Sequence, residues 1–510
     1  MNKFMQTHKV YLTPLSPIHI GCGEDFVPTN YVIDENTLFH FEPSNLSLND
    51  QQRTELLNFI TNLDLLAIQR FFLNLREQAI ASAYYFTDVS EGLAKNYREK
   101  IGKVAQRENN SNKIVVNQFA IERTAYQPFK QLPYIPGSSF KGALATALLD
   151  KAHQEKHNPK VGIRDNGKLL KAYLGEFENS QLRTVKFGDF LPIVDTESKI
   201  FYALNFKKKP SKTGGEGRAM ALRRECISAG QYRAYCSELT LMANPENKQN
   251  ITDYFKALRD FYLPIFKEEV ELLKSRHLST PNYLKSLENL LNNPKVALIR
   301  LGKNGADSKT YQGKGIAQIK IMGAKGTPPN FKDSPTTIWL AGSNDRQQTD
   351  LLPFGWALLE YDPQEENSEL KAWCNTQPKS SFDRSAILVK REEQKVKQAK
   401  LKAEAEAKLQ AEKEAELAKI AMLNSLNENQ KIIIDFVEKV ENTRERQADN
   451  TGSPLLKEAQ KLFEQALSWQ IQDRQFVCEK ITVDLLRSKI DFKKKDTEKT
   501  IKKWINKLVS

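Results

Sequence analysis

LPYIPGSSFKGALATALLD, residues 132–150, says more about this chain than any other run in it. Pro136-Gly137 reads as a turn, Ser138 or Ser139 as a helix N-cap, and FKGALATALL as a helix of small and apolar residues. Small side chains at Gly142, Ala143, Ala145 and Ala147 let that helix lie close to a sheet or a ligand. The amino end of a helix presents unpaired N–H groups and a partial positive charge, so a phosphate can sit there. Ser138, Ser139 and Lys141 add hydroxyl and ammonium donors beside Gly137. The element is not a Walker A loop, because G-x-x-x-x-G-K-[ST] is absent. A plain capped helix is the competing reading.

Before this element, HKVYLTPLSPIHI (8–20) reads as a strand and GCGED (21–25) as the turn that ends it. YVIDENTLFHFE (31–42) reads as a hairpin around Asp34-Glu35-Asn36, and Leu48 to Ala81 has helical spacing. NNSNK at 109–113 is a loop. After the element, residues 183–206 give two strand-like runs joined at Asp195-Thr196-Glu197-Ser198. RRECISAGQYRAYCSELTL (223–241) reads as a strand pair around Ala229-Gly230, and 250–293 as a long helical stretch. KVALIRLGKNGADSKTYQGKG (295–315) is a strand running into a glycine-rich loop, and TTIWLA and FGWALLEY are further strands.

The composition changes at residue 391. Residues 391–420 hold 8 Lys and Arg, 7 Glu and 7 Ala, with apolar residues off any heptad, so a solvated single helix supported by Glu–Lys pairs is expected. Residues 423–510 read as a small helical domain, and NTGSP at 450–454 interrupts it. The expected organisation is a body over 1–390 with helical insertions near 48–100 and 250–293, a charged helical linker over 391–422, and this last domain.

Charge narrows the partners. The chain has 510 residues and a formal net charge of +13, nine of those charges lying in residues 1–390 and one in 391–420. A basic excess favours polyanions, nucleic acid above all, through counterion release. With 40% hydrophobic residues the chain is not a disordered one. No run approaches the ~18 apolar residues of a membrane span. The amino terminus lacks a signal peptide's apolar block, so no membrane role and a cytoplasmic location are expected. Five scattered cysteines form no C-x-x-C pair, so neither structural zinc nor a disulfide framework is expected.

Three constellations bear on chemistry besides the helix start. NFKKKPSKTGGEGRAMALRREC (205–226) gathers Lys207, Lys208, Lys209, Lys212, Arg218, Arg223 and Arg224 around Pro210 and Gly214-Gly215. It reads as a flexible basic loop or hairpin leading into a strand. In the loop 300–315, Arg300, Lys303, Lys309 and Lys314 alternate with Gly302, Gly305, Gly313 and Gly315. The glycines let backbone approach a ligand, or else form a surface hairpin tip; no G-x-G-x-x-G opens a helix here. The third is acid–base cleavage of RNA, for which His is the usual group. His19, beside the glycine turn, reads as packed or catalytic. His153 and His157 read as solvent-facing, and Glu24-Asp25 as a solvated loop. No catalytic triad, metal site or cofactor motif is recognisable.

At PIHIG…YIPGSSFKGALATALL…GKNGADSKT…PFGWALLE the sequence resembles the RAMP superfamily of CRISPR proteins, over about residues 8–365. The order of elements looks most like subunit five of the type III-A Csm effector complex. The resemblance implies an α+β architecture with an RRM-like ferredoxin fold, βαββαβ with insertions. It also implies a non-enzymatic subunit that caps the crRNA-bearing filament near the guide's 3′ end and takes part in crRNA maturation and antiviral defence. Its partners would be crRNA, nearby target RNA, and other subunits, especially the repeating backbone subunit.

Carried over by residue, Gly137, Ser138, Ser139 and Lys141 would lie against the guide backbone. Arg300, Gly302, Lys303, Gly305 and Lys309 would pack beside them. Lys207, Lys208, Lys209, Arg218, Arg223 and Arg224 would grip RNA or a neighbour. In the family's target-cleaving subunits an Asp lies just before the PGSS element. Here Ala120 to Leu132 holds Glu122 and no Asp, which suits a non-catalytic cap. The alternative is a metal-independent endoribonuclease processing pre-crRNA, with His19 or His40 as acid or base. The segment 391–510 is not part of the usual subunit, and docking of a nuclease or adaptor is the expectation for it.

Overall fold

Val10 and Leu12 alternate with Lys9, Tyr11 and Thr13, and in the computed structural model this period-2 stretch becomes the central strand of a sheet. The structure describes residues 4–103, 105–107, 114–116, 119–156, 166–176, 178–209, 221–243, 249–279, 289–305, 319–321, 326–332, 334–379, 383–448, 453–492 and 495–509. The chain divides into two compact units, Met1–Gln398 and Ala399–Ser510, and each holds a hydrophobic core.

The first unit begins with β1 (Met5–Pro14), β2 (Gly21–Phe26), β3 (Tyr31–Asp34), β4 (Thr37–His40), α1 (Asp50–Thr61), α2 (Leu65–Asn74), α3 (Arg76–Ser82), β5 (Tyr85–Val89) and α4 (Glu91–Lys100). It continues through β6 (Ala105–Arg107), β7 (Ile114–Val116), β8 (Ile121–Thr124), α5 (Gly137–Lys156), α6 (Asn166–Leu174), β9 (Val185–Phe187), β10 (Leu191–Pro192), β11 (Ser198–Lys207), β12 (Leu222–Ile227) and β13 (Tyr235–Met242). Then come α7 (Ile251–Ser275), β14 (Val296–Arg300), β15 (Ile319–Ile321), β16 (Asn330–Lys332), β17 (Thr337–Gly342), β18 (Leu352–Pro353), β19 (Trp356–Tyr361), α8 (Ser368–Thr376) and the start of α9 (Arg384–Ser425).

Two large sheets carry this unit. The first runs β10-β13-β1-β19-β14, with β9 also on β13, and every pairing in it is antiparallel. Helices α5 and α7 pack with it, so that Phe140, Leu144 and Leu148 share a core with Tyr254, Leu258 and Phe261 and with Leu12, Leu298 and Leu358. The second runs β2-β8-β12-β11-β5-β4-β3, with β17 on β11 and β18 on β17. Leu93 and Tyr97 of α4 join one of its clusters, and Phe71 and Phe72 of α2 join another through Val32 and Phe39.

Several elements differ from their sequence reading. GCGED does not end a strand. It is most of β2, paired irregularly with β8, and Gly23 at φ +87° takes up the irregularity. The run 223–241 is not a strand pair, because β12 joins the second sheet and β13 the first. The stretch 48–81 is three helices, broken at Leu63 (φ +53°) and at Leu75, the C-cap of α2. α9 starts seven residues before the expected linker. Lys390 meets Asp34 at 2.6 Å, Arg391 donates to the Ala83 carbonyl at 3.0 Å, and Lys397 meets Glu77 at 3.0 Å. No described helix is long and apolar enough to cross a membrane.

In the second unit the remainder of α9 has no buried residue. It is followed by α10 (Glu428–Asn442), β20 (Gln447–Ala448), α11 (Pro454–Ala466), α12 (Ile471–Lys480), α13 (Val483–Lys489), β21 (Ile490–Asp491) and α14 (Lys495–Val509). Asn427 and Gln430 close a capping box on α10, and Ser453 caps α11 with Pro454 at its first position. Ile433, Phe436, Leu462, Phe463, Leu486 and Ile501 fill the core between these helices.

Candidate nucleic-acid interface

Four segments far apart in sequence meet on one carboxylate. β8 and β12 run parallel with Glu122 opposite Arg224, and Arg224 Nη2 lies 3.1 Å from Glu122 Oε1. The chain leaving β14 turns at Gly302 (φ +81°), where a Cβ would lie 2.2 Å from the His19 carbonyl oxygen. Only glycine allows that approach. The Lys303 N–H then donates to the same carbonyl at 2.9 Å, and Lys303 Nζ reaches Glu122 Oε2 at 2.8 Å. The Arg224 guanidinium also donates to Asn304 Oδ1.

His19 completes the cluster. Its Nδ1 lies 2.7 Å from the Glu225 carbonyl, which can only accept, so Nδ1 carries a hydrogen. Nε2 lies 3.3 Å from Glu122 Oε2, a hydrogen bond only when that nitrogen is protonated too. The His19 imidazole first, then Lys303 and Arg224, hold the Glu122 carboxyl far below the usual carboxylate range, against the opposing effect of its partial burial. One carboxylate facing two permanent cations leaves the cluster net positive. Lys303 is its outer member, with 52% of its side chain exposed, so a phosphate can share that ammonium.

The PGSS element is built differently from its sequence reading. The helix begins at Gly137, which puts Pro136 rather than a serine at the cap position. The capping group is the Asp189 carboxylate, whose Oδ1 accepts from the Gly137 N–H at 2.7 Å. Gly137 packs so tightly on the Gly188 carbonyl that a Cβ would lie 2.6 Å from its oxygen. Gly137 is therefore a packing residue whose N–H is already taken. Ser138 is exposed, Ser139 and Lys141 are half-buried, and Lys141 Nζ sits 5.8 Å from the centre of the Phe187 ring. Sequence reading missed Asp189, although Gly188-Asp189 directly after a strand run is a turn signal.

The remaining candidates separate. Lys207 and Lys209 are exposed at the end of β11, and the Lys208 N–H donates to the Thr336 carbonyl at 3.0 Å. The Arg223 guanidinium lies over the Phe119 ring at 4.8 Å. Gly305 is buried. Arg300 is a correction: instead of facing a ligand, its guanidinium enters the core, 2.7 Å from Glu269 and 4.9 Å from the centre of the Trp356 ring. Lys212, Gly214, Gly215, Arg218, Lys309, Gly313, Lys314, Gly315, His157 and the loop 109–113 lie outside the described residues.

General acid–base chemistry needs a reachable group that titrates near neutrality. His19 is completely buried. Burial, and then the Arg123 charge, push the His40 imidazole down to about 3. His153, read as solvent-facing, is half-buried, with its Nδ1 2.7 Å from the Tyr173 hydroxyl. Glu24 is not simply solvated either, because it accepts from the Tyr126 hydroxyl at 2.9 Å. Among the described residues no three His, Cys, Asp or Glu side chains are grouped to hold a metal ion.

The sequence model of the RAMP superfamily matches residues 11–307, more than half of the chain, and that span contains His19, Glu122, the PGSS element, Arg224 and Lys303. The chain belongs to the RAMP superfamily. A curated relative is the CRISPR system protein Csm5 of Methanocaldococcus jannaschii, 26% identical over 217 residues. That alignment covers 40% of this chain and 47% of the relative, so the chain spans about half the length of the curated relative it matches. Among solved structures, a chain in the cryo-EM structure of a Csm–crRNA–target RNA ternary complex of a type III-A CRISPR–Cas system is 19% identical with a TM-score of 0.45. It covers 70% of this RAMP chain and all of its own length. The crystal structure of T. onnurineus Csm5 is 16% identical with a TM-score of 0.40, covering 69% and 99%.

Proposed function

We propose that this chain is a crRNA-binding capping subunit of a type III-A CRISPR ribonucleoprotein. On this reading it acts in the cytoplasm, near the guide's 3′ end and in guide maturation, and performs no cleavage of its own. The observation that carries the reading is the Glu122 cluster, which draws the His19 segment, the strand before PGSS, the basic hairpin strand and the glycine-rich loop to one net-positive place inside the RAMP match. The partial similarity to a Csm5 protein supplies the type of complex. The buried His19 and the low-titrating His40 favour a binding role over an acid–base one.

An RRM-like ferredoxin core is part of the proposal. Its support is the chain order β1, α5, the β9–β10 edge, β13, α7 and then β19, laid out in space as β10-β13-β1-β19 with all neighbours antiparallel. The second unit has a core of its own, and the proposal gives it the docking of another protein, a nuclease or adaptor.

The phosphate-facing groups left on the helix start are the Ser138 and Ser139 hydroxyls and the Lys141 ammonium. Replacing Ser139 and Lys141 together by Ala is expected to lower the guide RNA that co-purifies with the assembled complex. The dependence of log affinity on log salt should flatten by roughly 0.7 for each phosphate that is no longer neutralised. RNA content and salt slope equal to those of the unchanged chain would count against the proposal.

A further inference from the structure

The most exposed large apolar side chain among the described residues is not on a partly buried helix face. It is Phe129, at 102% of its reference exposure, at the tip of the turn Gln127-Pro128-Phe129-Lys130-Gln131. The turn is held closed. The Gln127 N–H donates to the Leu132 carbonyl at 2.9 Å, the Gln131 N–H donates to the Gln127 carbonyl at 2.7 Å, and Tyr126 bridges to Pro133. It is also braced from below. Arg123, whose side chain is almost entirely buried, lies 3.4 Å over the Tyr126 ring and donates to Gln131 Oε1 at 2.7 Å. Tyr126 is tied in turn to Glu24. A buried guanidinium therefore fixes a turn whose tip buries nothing of its own.

We propose that Phe129 is a base-stacking residue that receives an unpaired base of single-stranded RNA, with Lys130 beside it for the adjoining phosphate. The proposal rests on the RNA-binding reading above and gives that site a base contact. Position supports it, because the turn links β8, which carries Glu122, to α5, which carries Ser138, Ser139 and Lys141. Chemistry supports it as well. Apart from Pro128, the other residues of the turn are the polar Gln127, Lys130 and Gln131. A protein partner would need a contiguous patch around a buried anchor, whereas a base needs one ring face, and every base offers one. Stacking of this kind reads no sequence, so the contact would accept any base in the guide.

The test uses the full chain and a fluorescein-labelled single-stranded RNA of mixed sequence. Phe129→Ala is expected to weaken binding roughly 5- to 100-fold with the salt slope unchanged, because the substitution removes a stacking interaction and no ion pair. Phe129→Trp should keep the affinity, and its added indole emission should be quenched by RNA. Since Phe129 packs on nothing, both variants should melt like the parent. RNA bound equally by the parent and Phe129→Ala overturns the stacking proposal and leaves the RNA-binding reading standing. Loss of association with a protein subunit at unchanged RNA affinity also overturns it and makes the ring a protein contact. A parent chain that binds no RNA removes the underlying reading, and the stacking role with it.

Discussion

Arg300→Met is expected to destabilise the first unit by about 3–5 kcal/mol, the usual consequence of breaking a buried ion pair from one side. Arg300 Nη1 lies 2.7 Å from Glu269 Oε2, its Nε donates to the Phe354 carbonyl at 2.9 Å, and its guanidinium stacks on Trp356. Glu269 Oε1 accepts from the Trp356 indole N–H at 2.7 Å. With the cation gone, a carboxylate stays buried at the junction of α7, β14 and β19. The double variant Arg300→Met/Glu269→Gln removes both charges and keeps an acceptor for the indole, so it should recover most of the loss. Urea unfolding of the parent and these two variants measures this. A loss below ~1 kcal/mol in Arg300→Met would mean that water reaches the pair and screens it.

Gly302→Ala should cost about 2–4 kcal/mol and also weaken RNA binding. At φ +81° an L side chain is strained by ~1–2 kcal/mol. Here the new Cβ would also lie 2.2 Å from the His19 carbonyl oxygen and 2.9 Å from its carbon. Those are backbone atoms, so two chain segments must separate, and the hydrogen bond from Lys303 N–H to His19 breaks with them. Lys303 then leaves Glu122, and the cluster loses its exposed cation. Gly326→Ala is the control, since Gly326 also has positive φ (+91°) but open space around its Cβ position. It isolates the conformational part of the cost. Equal losses in the two variants, with RNA binding intact, would show that the approach to His19 does not hold the loop in place.

These two sites mark where reading the sequence stops. The helix of FKGALATALL, the hairpin around Glu35 and the charged run after residue 390 follow from local spacing and composition, and all three form helices or hairpins close to where they were read. Long-range pairing is another matter. Nothing local sends β12 and β13 to different sheets, because the break at Ala229-Gly230 between them suits a hairpin equally well. Arg300 and Lys303 sit three residues apart in the same basic, glycine-containing segment. One goes to the core and the other to the surface, because Glu269 on α7 meets the first and Glu122 on β8 the second. The Glu122 to Lys303 contact spans 181 positions, beyond any periodicity. Asp189 could be read as a turn residue but not as a cap, since an acceptor 52 residues away leaves no mark beside the helix it caps.

The central claim is that the helix start at residues 137–141 faces guide RNA near its 3′ end. Ser138 is exposed there and can be exchanged for a photo-crosslinking amino acid without disturbing the core. Irradiation of the assembled complex, followed by sequencing of the attached RNA, reads the contact directly. Adducts on guide RNA, concentrated at its 3′ portion, are the expected result. Crosslinks to protein alone, or to the guide's 5′ end, would contradict it.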